Sequence, residues 1–286
     1  MTGRECLTYN DRATSSLLGS LRSVLFAPGS DERKLTRALA SGADVVIADL
    51  EDAVAPAEKG PARALVVRLF RELASGSLKA VRVNGADTSH FSDDLAAVAG
   101  LDVDLVVLPK ATPRAVGALG PDGPPVIAIV ESAQGLRLAY ETACSPRVAV
   151  LMLGAADLSA ELSLEPRPDG HELLFARSSL VVDSAAAGIR RPIDQVWLDV
   201  RDHEGLEADA ALARSLGFGG KACIHPGQLE AVNRLFGPTD EQLAWARAVV
   251  EAYEHGIREG RGAVALDGEM IDLPVVERAR KLLQAT

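Results

Sequence analysis

Cysteine, long apolar runs and excess positive charge are all scarce in this chain of 286 residues. The three cysteines, Cys6, Cys144 and Cys223, are far apart and form no CxxC pair, so neither a disulfide framework nor a structural zinc site is expected. We therefore expect a reducing, cytoplasmic setting. No apolar run approaches the roughly 20 residues that span a bilayer. The net charge of −10 argues against a general binder of nucleic acids or anionic membranes.

Familiar motifs of nucleotide and hydrolase sites are missing as well. The chain contains no GxGxxG, no GxxxxGK[ST] and no GxSxG pattern. The pair His171-Glu172 is not followed by the second histidine of a zinc-protease helix. The segment that ends in Cys223-Ile224-His225-Pro226 is not a P-loop, and His225 is expected to be structural or to shape a ligand site. Any chemistry must therefore come from another arrangement of side chains.

Apolar, β-rich runs recur along the chain and alternate with helix-like segments. The helix-like segments include residues 31–40, 61–74, 92–99 and 204–216, and glycine often follows such a segment. Eight strands that alternate with helices predict an α/β fold, a (β/α)8 TIM barrel. An open doubly wound sheet would show the same alternation, but acids after several strands favour the barrel, whose strand ends converge on one mouth. The predicted strands are Ser23–Ala27, Asp44–Leu50, Ala80–Val83, Leu105–Leu108, Val126–Val130, Val148–Leu153, Gln195–Leu198 and Lys221–Ile224.

The remaining segments define the expected domain organisation. Residues 1–20 show no clear periodicity and are expected to form an N-terminal arm, followed by a catalytic barrel over 21–238. Residues 239–286 exceed what an eight-fold barrel needs. They comprise a long helix over 239–259, a glycine-rich turn at 260–262 and a final helix that ends at Leu283.

Two predicted neighbouring strands each deliver an acid to the same edge of the barrel. Glu131 follows the run Val126–Val130, and Asp157 follows Val148–Leu153. Two oxygen ligands with the other positions open to water and substrate suit Mg2+. Zinc or copper would require histidine or thiolate ligands, and none lies nearby in the predicted strand order. Either acid alone is equally compatible with capping the helix that follows its strand.

Arg82 lies at the end of the third predicted strand, among apolar residues. A cation there is costly unless it meets an anion. Asp49, Glu51 and Asp52 supply carboxylates at the end of the second strand, so an internal ion pair that closes the barrel top is one interpretation. The other is a binding site for an α-keto acid, in which the metal ion takes substrate oxygens and Arg82 stabilises the oxygen that gains charge.

Arg33 and Arg37 lie four residues apart at the start of the first helix. They share one helix face near its positive end, where phosphate binds favourably. The residues alone favour the alternative, in which both arginines are solvated and paired with Asp31 or Glu32.

Taken together, several segments resemble successive signatures of the citrate lyase β-subunit-like proteins, which are aldolase/citrate lyase barrels. The resemblance extends from about residue 22 to 283 and keeps the motif order. The family includes malyl-CoA and citramalyl-CoA lyases and β-methylmalate synthases. The matching segments are residues 22–29, 49–54, 82–84, 108–110, Glu131, 154–158, 220–221, 224–226 and 268–272.

The resemblance implies a TIM barrel, Mg2+ held by Glu131 and Asp157, and Arg82 on the keto-acid part of the substrate. It also implies that Arg33 and Arg37 meet the phosphates of coenzyme A, which reverses the preference from the residues alone. The family's C-terminal segment commonly crosses to a neighbouring subunit and carries a catalytic aspartate, here Asp272. An exchanged tail implies a homo-oligomer, and the resemblance suggests a trimer or a hexamer. The substrate-binding residues expected from the matching motifs are Glu51, Asp52, Arg82, Gly154 and Ala155, together with the two helix arginines.

The implied enzyme is a Mg2+-dependent carbon–carbon lyase or synthase. It would join or separate an acyl-CoA and a small α-keto acid by Claisen chemistry on a CoA thioester of the malyl, citramalyl or β-methylmalate type. One departure stands out, because many relatives have Glu-Asp where this chain has Ala156-Asp157, so metal affinity or substrate choice is expected to differ. Two alternatives remain. One is a citrate lyase β-subunit that acts on a carrier-bound citryl thioester, and the other is a non-catalytic barrel with a binding role.

Overall fold

A computed structural model describes residues 21–167, 169–258, 263–266 and 268–283. The predicted arm over 1–20 and the turn over 260–262 lie outside these residues. The described chain divides into two compact units, the first ending at Asn233 and the second beginning at Arg234. No helix in the described part is long and apolar enough to cross a membrane.

The first unit contains a closed barrel of eight parallel strands in chain order, which confirms the predicted fold and excludes the open doubly wound sheet. Its strands are Ser23–Pro28 (β1), Val45–Asp49 (β2), Leu78–Arg82 (β3), Leu105–Leu108 (β4), Val126–Val130 (β5), Val148–Leu153 (β6), Ile193–Asp194 (β7) and Gly220–Cys223 (β8). Its helices are Glu32–Leu39 (α1), Lys59–Glu72 (α2), Phe91–Ala99 (α3), Pro113–Ala118 (α4), Ala133–Arg137 (α5), Ala139–Ala143 (α6), Ala155–Leu162 (α7), Leu174–Ala186 (α8) and His203–Leu216 (α9). The helix α10 (Leu229–Phe236) contains the boundary between the units.

The barrel interior is filled by alternate residues of the strands, as the period of two requires. These residues form one buried apolar cluster, with Phe26, Leu78, Ala149 and Val196 packed against it. The cluster consists of Leu21, Val24, Val45, Ile47, Ala80, Leu105, Val107, Ile127, Ile129, Val150, Met152, Ile193 and Ala222.

The predicted seventh strand was wrong. The apolar residues of Gln195–Leu198 suggested a strand there, but β7 is only Ile193–Asp194, and Leu198 is 69% exposed. The polar Asp194 can lie in a buried strand because its carboxylate forms ion pairs with two buried cations, Arg177 and Lys221. A local pattern of apolar residues could not reveal these distant partners.

A buried tetrad of charges, Arg177, Asp194, Asp209 and Lys221, joins this short strand to its surroundings. Asp194 and Lys221 are register partners on β7 and β8, while Arg177 lies on α8 and Asp209 on α9. Arg177 hydrogen-bonds Asp194 at 2.9 and 3.0 Å and Asp209 at 2.6 Å, and Lys221 bonds both carboxylates. With two cations and two anions, the tetrad balances its own charge where β7 offers little backbone pairing.

The second unit contains α11 (Asp240–Arg258), the antiparallel pair β9 (Val264–Leu266) and β10 (Glu269–Ile271), and α12 (Leu273–Leu283). Its core includes Ala246, Val249 and Val276. The Arg278 guanidinium lies 5.4 Å from the centre of the Trp245 ring.

Candidate functional site

Charged side chains continue the inward-facing rows of the barrel strands at their carboxyl ends. Ile47, Ala80 and Ile129 belong to the interior cluster. Asp49, Arg82 and Glu131 each come two residues after one of them. Because alternate residues share a face, the sequence spacing directs these three groups toward the barrel mouth.

Arg82 is surrounded by acids and is 11% exposed. Its guanidinium hydrogen-bonds both oxygens of Asp49 at 2.7 and 2.6 Å, and it lies 2.8 Å from Glu51 and 3.5 Å from Asp52. The ring of Phe26 covers its face, with 5.2 Å between the guanidinium carbon and the ring centre. Burial acts to lower the pKa of Arg82, but the hydrogen bonds and charge of Asp49 outweigh it and raise that pKa. The internal ion pair is therefore present, and Asp49 alone satisfies its bidentate geometry.

The segment Asp49–Val54, here called the acidic loop, is fixed by two side chains from other segments, Lys59 and Asn84. Buried Lys59 donates to the carbonyls of Leu50 and Glu51 at 2.7 and 2.6 Å. The Asn84 amide also donates to the carbonyl of Leu50, at 2.9 Å. The acidic loop therefore presents its side chains from an anchored backbone.

Glu51 is 7% exposed and sits in an unfavourable setting for a charged carboxylate. Burial raises its pKa to about 8; the charge of Arg82 opposes this shift, and the charge of Asp52 adds to it. Its Oε2 atom is buried and forms no hydrogen bond within the described chain, although it lies close to Arg82. At neutral pH, Glu51 therefore carries a proton more often than an ordinary glutamate.

Glu131 lies at the end of β5 and is 6% exposed. Burial raises the pKa of Glu131 to about 7, and the charge of Asp157 also acts to raise it. The hydrogen bond that Oε1 accepts from the Lys110 N–H at 2.7 Å acts to lower it. Lys110 itself has a left-handed backbone, with φ of 48°. Such strain in a non-glycine residue is often found at functional sites.

Gly154, at the end of neighbouring β6, makes room for this carboxylate. A Cβ atom at Gly154 would lie 2.5 Å from the Cβ of Glu131 and 2.6 Å from its Oε2, so only glycine fits. Ala155 begins α7, and its backbone N–H is one of the helix's unsatisfied N-terminal donors. The β5–β6 pairing confirms that the strands before Glu131 and Asp157 are neighbours.

The helix-capping alternative for the two acids does not hold. Ser132, not Glu131, caps α5, and its hydroxyl accepts the Gly135 N–H. Gly154 is the N-cap residue of α7, and Asp157 lies exposed in the first turn without a capping hydrogen bond. Among the described residues, no group of three or more His, Cys, Asp and Glu side chains is arranged to hold a metal. A pair of carboxylates is nevertheless what Mg2+ usually takes from a protein.

A cavity of about 610 Å3 opens beside Arg82. Two basic residues of α1 line it: Arg37, which the sequence predicted as a phosphate contact, and Lys34, which it did not. Arg33 is exposed on the same helix and does not line the cavity. The other lining residues are Leu25, Phe26, Ala27, Pro28, Ala38, Asp49, Asp52, Ala53, Arg82, Val196, Ile224, His225 and Pro226.

Asp272 lies in the second unit, at the start of α12. Its Oδ1 atom accepts the Val275 N–H at 3.4 Å, and the residue is half-buried. The catalytic role of Asp272 and the exchange of the tail stay predictions.

Comparison with known proteins gives consistent matches over most of the chain. The model of the HpcH/HpaI aldolase/citrate lyase family matches residues 22–116 and 121–226. A (3S)-malyl-CoA thioesterase of Cereibacter sphaeroides is 38% identical over 267 residues, which cover 92% of this chain and 93% of that protein. Citrate lyase subunit beta of Leuconostoc mesenteroides subsp. cremoris is 35% identical over 279 residues, or 92% of each chain.

A solved structure agrees with these relatives. CitE from Mycobacterium tuberculosis, in complex with magnesium, acetoacetate and coenzyme A, has a TM-score of 0.79 and 37% sequence identity to this chain. The match covers 94% of this chain and 98% of that chain. These matches confirm the resemblance to citrate lyase β-subunit-like proteins.

Proposed function

The chain belongs to the HpcH/HpaI aldolase/citrate lyase family, and on that premise we propose a Mg2+-dependent carbon–carbon lyase or synthase acting on CoA thioesters. The substrates would be thioesters of hydroxy-diacids, of the malyl, citramalyl or β-methylmalate type. One observation carries the proposal. An arginine ringed by acids lies at the barrel mouth, next to a cavity whose wall holds Lys34 and Arg37.

Glu131 and Asp157 would hold the metal ion. The pair fits Mg2+ because both groups are oxygen ligands on neighbouring elements, and because Gly154 leaves space beside the Glu131 oxygens. When bound, Mg2+ supplies Lewis-acid polarisation of the keto-acid carbonyl. The magnesium in the CitE crystal structure supports Mg2+ as the ion.

Arg82 would stabilise the oxygen that changes charge during the reaction. In cleavage, the substrate hydroxyl loses its proton, the carbon–carbon bond breaks to give the α-keto acid, and the α-carbon of the acyl-CoA gains a proton. Condensation follows the reverse order. Arg82 is preorganised by Asp49 and Phe26, so it needs little reorganisation to meet the developing oxyanion.

The remaining substrate contacts follow from the placement of their elements. The Ala155 N–H at the start of α7 suits the carboxylate of the keto acid, and Gly154, whose own N–H donates to the Val130 carbonyl at 3.0 Å, would leave room for that carboxylate to approach. Glu51 and Asp52, beside Arg82, would contact the reacting part of the substrate.

The coenzyme A part would occupy the cavity beside α1. Lys34 and Arg37 line that cavity and would meet the phosphates, and Arg33 on the same helix would add positive charge at its rim. A carrier-dependent β-subunit should not need these contacts for free CoA.

We further propose that residues 239–286 cross to a neighbouring subunit and that Asp272 exchanges the proton with the acyl-CoA α-carbon. The enzyme would then be a homo-oligomer, a trimer or a hexamer. It would act in the cytoplasm, where acyl-CoA thioesters are made and consumed.

A substrate panel tests the proposal. Purified protein would be supplied with Mg2+, acetyl-CoA or propionyl-CoA, and glyoxylate, pyruvate or oxaloacetate in turn, with EDTA as the metal-removal control. We expect one pair to give a condensed product that disappears with EDTA. A matched pair of variants, Arg37→Gln and Arg137→Gln, tests the CoA site, because both are exposed arginines in the last turn of a helix but only Arg37 lines the cavity.

A citrate lyase β-subunit is the second candidate, which the similarity to the Leuconostoc mesenteroides protein favours. This candidate predicts no activity with any of the acyl-CoA substrates and activity only with a citryl thioester on a carrier protein. It also predicts no effect of Arg37→Gln. No activity with either the CoA thioesters or the carrier-bound thioester, together with no measurable Mg2+ binding, would refute both enzyme assignments.

A further inference from the structure

The far wall of the cavity is formed by two loops that no strand pairing holds together. Val196 belongs to the loop after β7, and Ile224, His225 and Pro226 follow β8. The register between β7 and β8 ends at the pair Asp194 and Lys221. Beyond that pair, another link must set the spacing of these loops.

Gln228 provides such a link and is 1% exposed. Its Oε1 atom accepts the N–H groups of Ile224 at 2.9 Å and His225 at 3.2 Å. Its Nε2 atom donates to the carbonyl of Trp197 at 2.9 Å, directly after Val196 in the chain. One buried amide therefore uses both of its ends to join the two loops.

His225 is oriented by the same turn. Its Nδ1 atom accepts the Gly227 N–H at 3.0 Å, and together with Gln228 it forms a capping box at the start of the helical turn Pro226–Gln228. With Nδ1 as acceptor, the neutral ring carries its hydrogen on Nε2. The exposed His225 is thus held in one orientation at the cavity.

We propose that Gln228 is a positioning residue that fixes the cavity wall for the CoA part of the substrate. This inference rests on the proposed function. Gln228 touches no reacting group and lies behind the wall, while Arg82 and Glu131 are held by the acidic loop and by Lys110. Loss of the link should therefore weaken acyl-CoA binding and leave the bond-breaking step and the keto-acid site largely intact.

The decisive variant is Gln228→Leu. The alkyl side chain has neither the oxygen that accepts the Ile224 and His225 N–H groups nor the N–H that reaches the Trp197 carbonyl. Because a buried acceptor is left unpaired, we expect KM for acyl-CoA to rise about tenfold or more, with kcat changed by less than about threefold. KM for the keto acid and the Kd of Mg2+ should stay unchanged. Gln134→Leu is the control for the same substitution, since Gln134 is exposed on α5 and does not line the cavity.

Amide hydrogen exchange gives a readout that does not need activity. Gln228→Met removes both ends of the link, so the Ile224 and His225 amides should exchange faster than in the wild type, while the barrel strands stay protected. Unchanged exchange would overturn the proposal. So would a folded Gln228→Leu enzyme with unchanged acyl-CoA KM, or one in which kcat and stability fall and the keto-acid KM rises together, as for a general structural role. Wild-type protein that binds no coenzyme A would instead refute the proposed function, and this inference with it.

Discussion

Lowering the pH should weaken Mg2+ binding through Glu131. The metal ligand is the carboxylate, and burial raises the pKa of Glu131 to about 7. Below that pH the ion must displace a proton, whereas above it the ligand is already ionised. The affinity for Mg2+ therefore falls as the pH falls through 7.

The size of the effect follows from the fraction of ionised Glu131. With a pKa of about 7, roughly 90% of the group is ionised at pH 8 and roughly 10% at pH 6. The Kd for Mg2+ should therefore rise about tenfold between these values, and binding at pH 6 should release about 0.9 proton per ion. A glutamate with an ordinary pKa near 4.5 would change the Kd by only a few per cent.

Isothermal titration calorimetry of metal-free protein, in two buffers of different ionisation enthalpy, measures the Kd for Mg2+ and the number of protons released per ion. The Glu51→Gln variant removes the neighbouring group whose pKa is raised to about 8, so the proton count then reports Glu131 alone. Glu131→Gln should lose most of the affinity together with its pH dependence. If the Kd of the wild type stays within twofold between pH 6 and pH 8, then Glu131 is not a ligand with a raised pKa, and the reasoning fails.

Three further variants test other parts of the molecule. Arg82→Lys should lower kcat about 100- to 1,000-fold in steady-state assays, because lysine cannot keep the bidentate geometry; activity near the wild-type level would exclude its role. Asp272→Asn should lower kcat at least about 100-fold with Mg2+ binding retained, and full turnover would contradict its role in proton transfer. Lys221→Met should lower the free energy of unfolding, measured in urea, by about 3–5 kcal/mol, because it leaves buried Asp194 short of a partner. Exposed Lys34→Met is its control and should cost less than about 1 kcal/mol; equal effects would refute the buried-charge argument.

The strands that the sequence predicted best are those buried on both faces. The runs Leu105–Leu108, Val126–Val130 and Val148–Leu153 are strands over the predicted residues. Short, β-branched apolar runs bounded by turn residues are typical of strands that are buried on both faces. The seventh strand failed for the opposite reason. Asp194 is buried through charges on other elements, and the apolar residues after it belong to the loop that lines the cavity.

The candidate site was visible only where a charge interrupts an apolar run. Arg82 and Glu131 stand out in this way, and the structure directs both toward the mouth. Lys59 and Gln228 act on backbone groups of other segments, so their roles depend on contacts that exist only after folding. Adjacent positions on a helix point about 100° apart, so the sequence alone could not resolve which basic residues of α1 line the cavity, and Lys34 went unrecognised.

The balance of charge at the mouth argues for a cation from outside the chain. Asp49 takes the two short guanidinium hydrogen bonds of Arg82, whereas the bond to Asp52 is long at 3.5 Å, so a structural ion pair would need no acid besides Asp49. Glu51, Asp52 and Glu131 are nevertheless present, and burial with residual repulsion raises the pKa of Glu51 to about 8 and of Glu131 to about 7. Such acids cost stability, and groups of this kind concentrate at functional sites. A bound divalent cation would stabilise the charged form of each acid and so remove the repulsion between them.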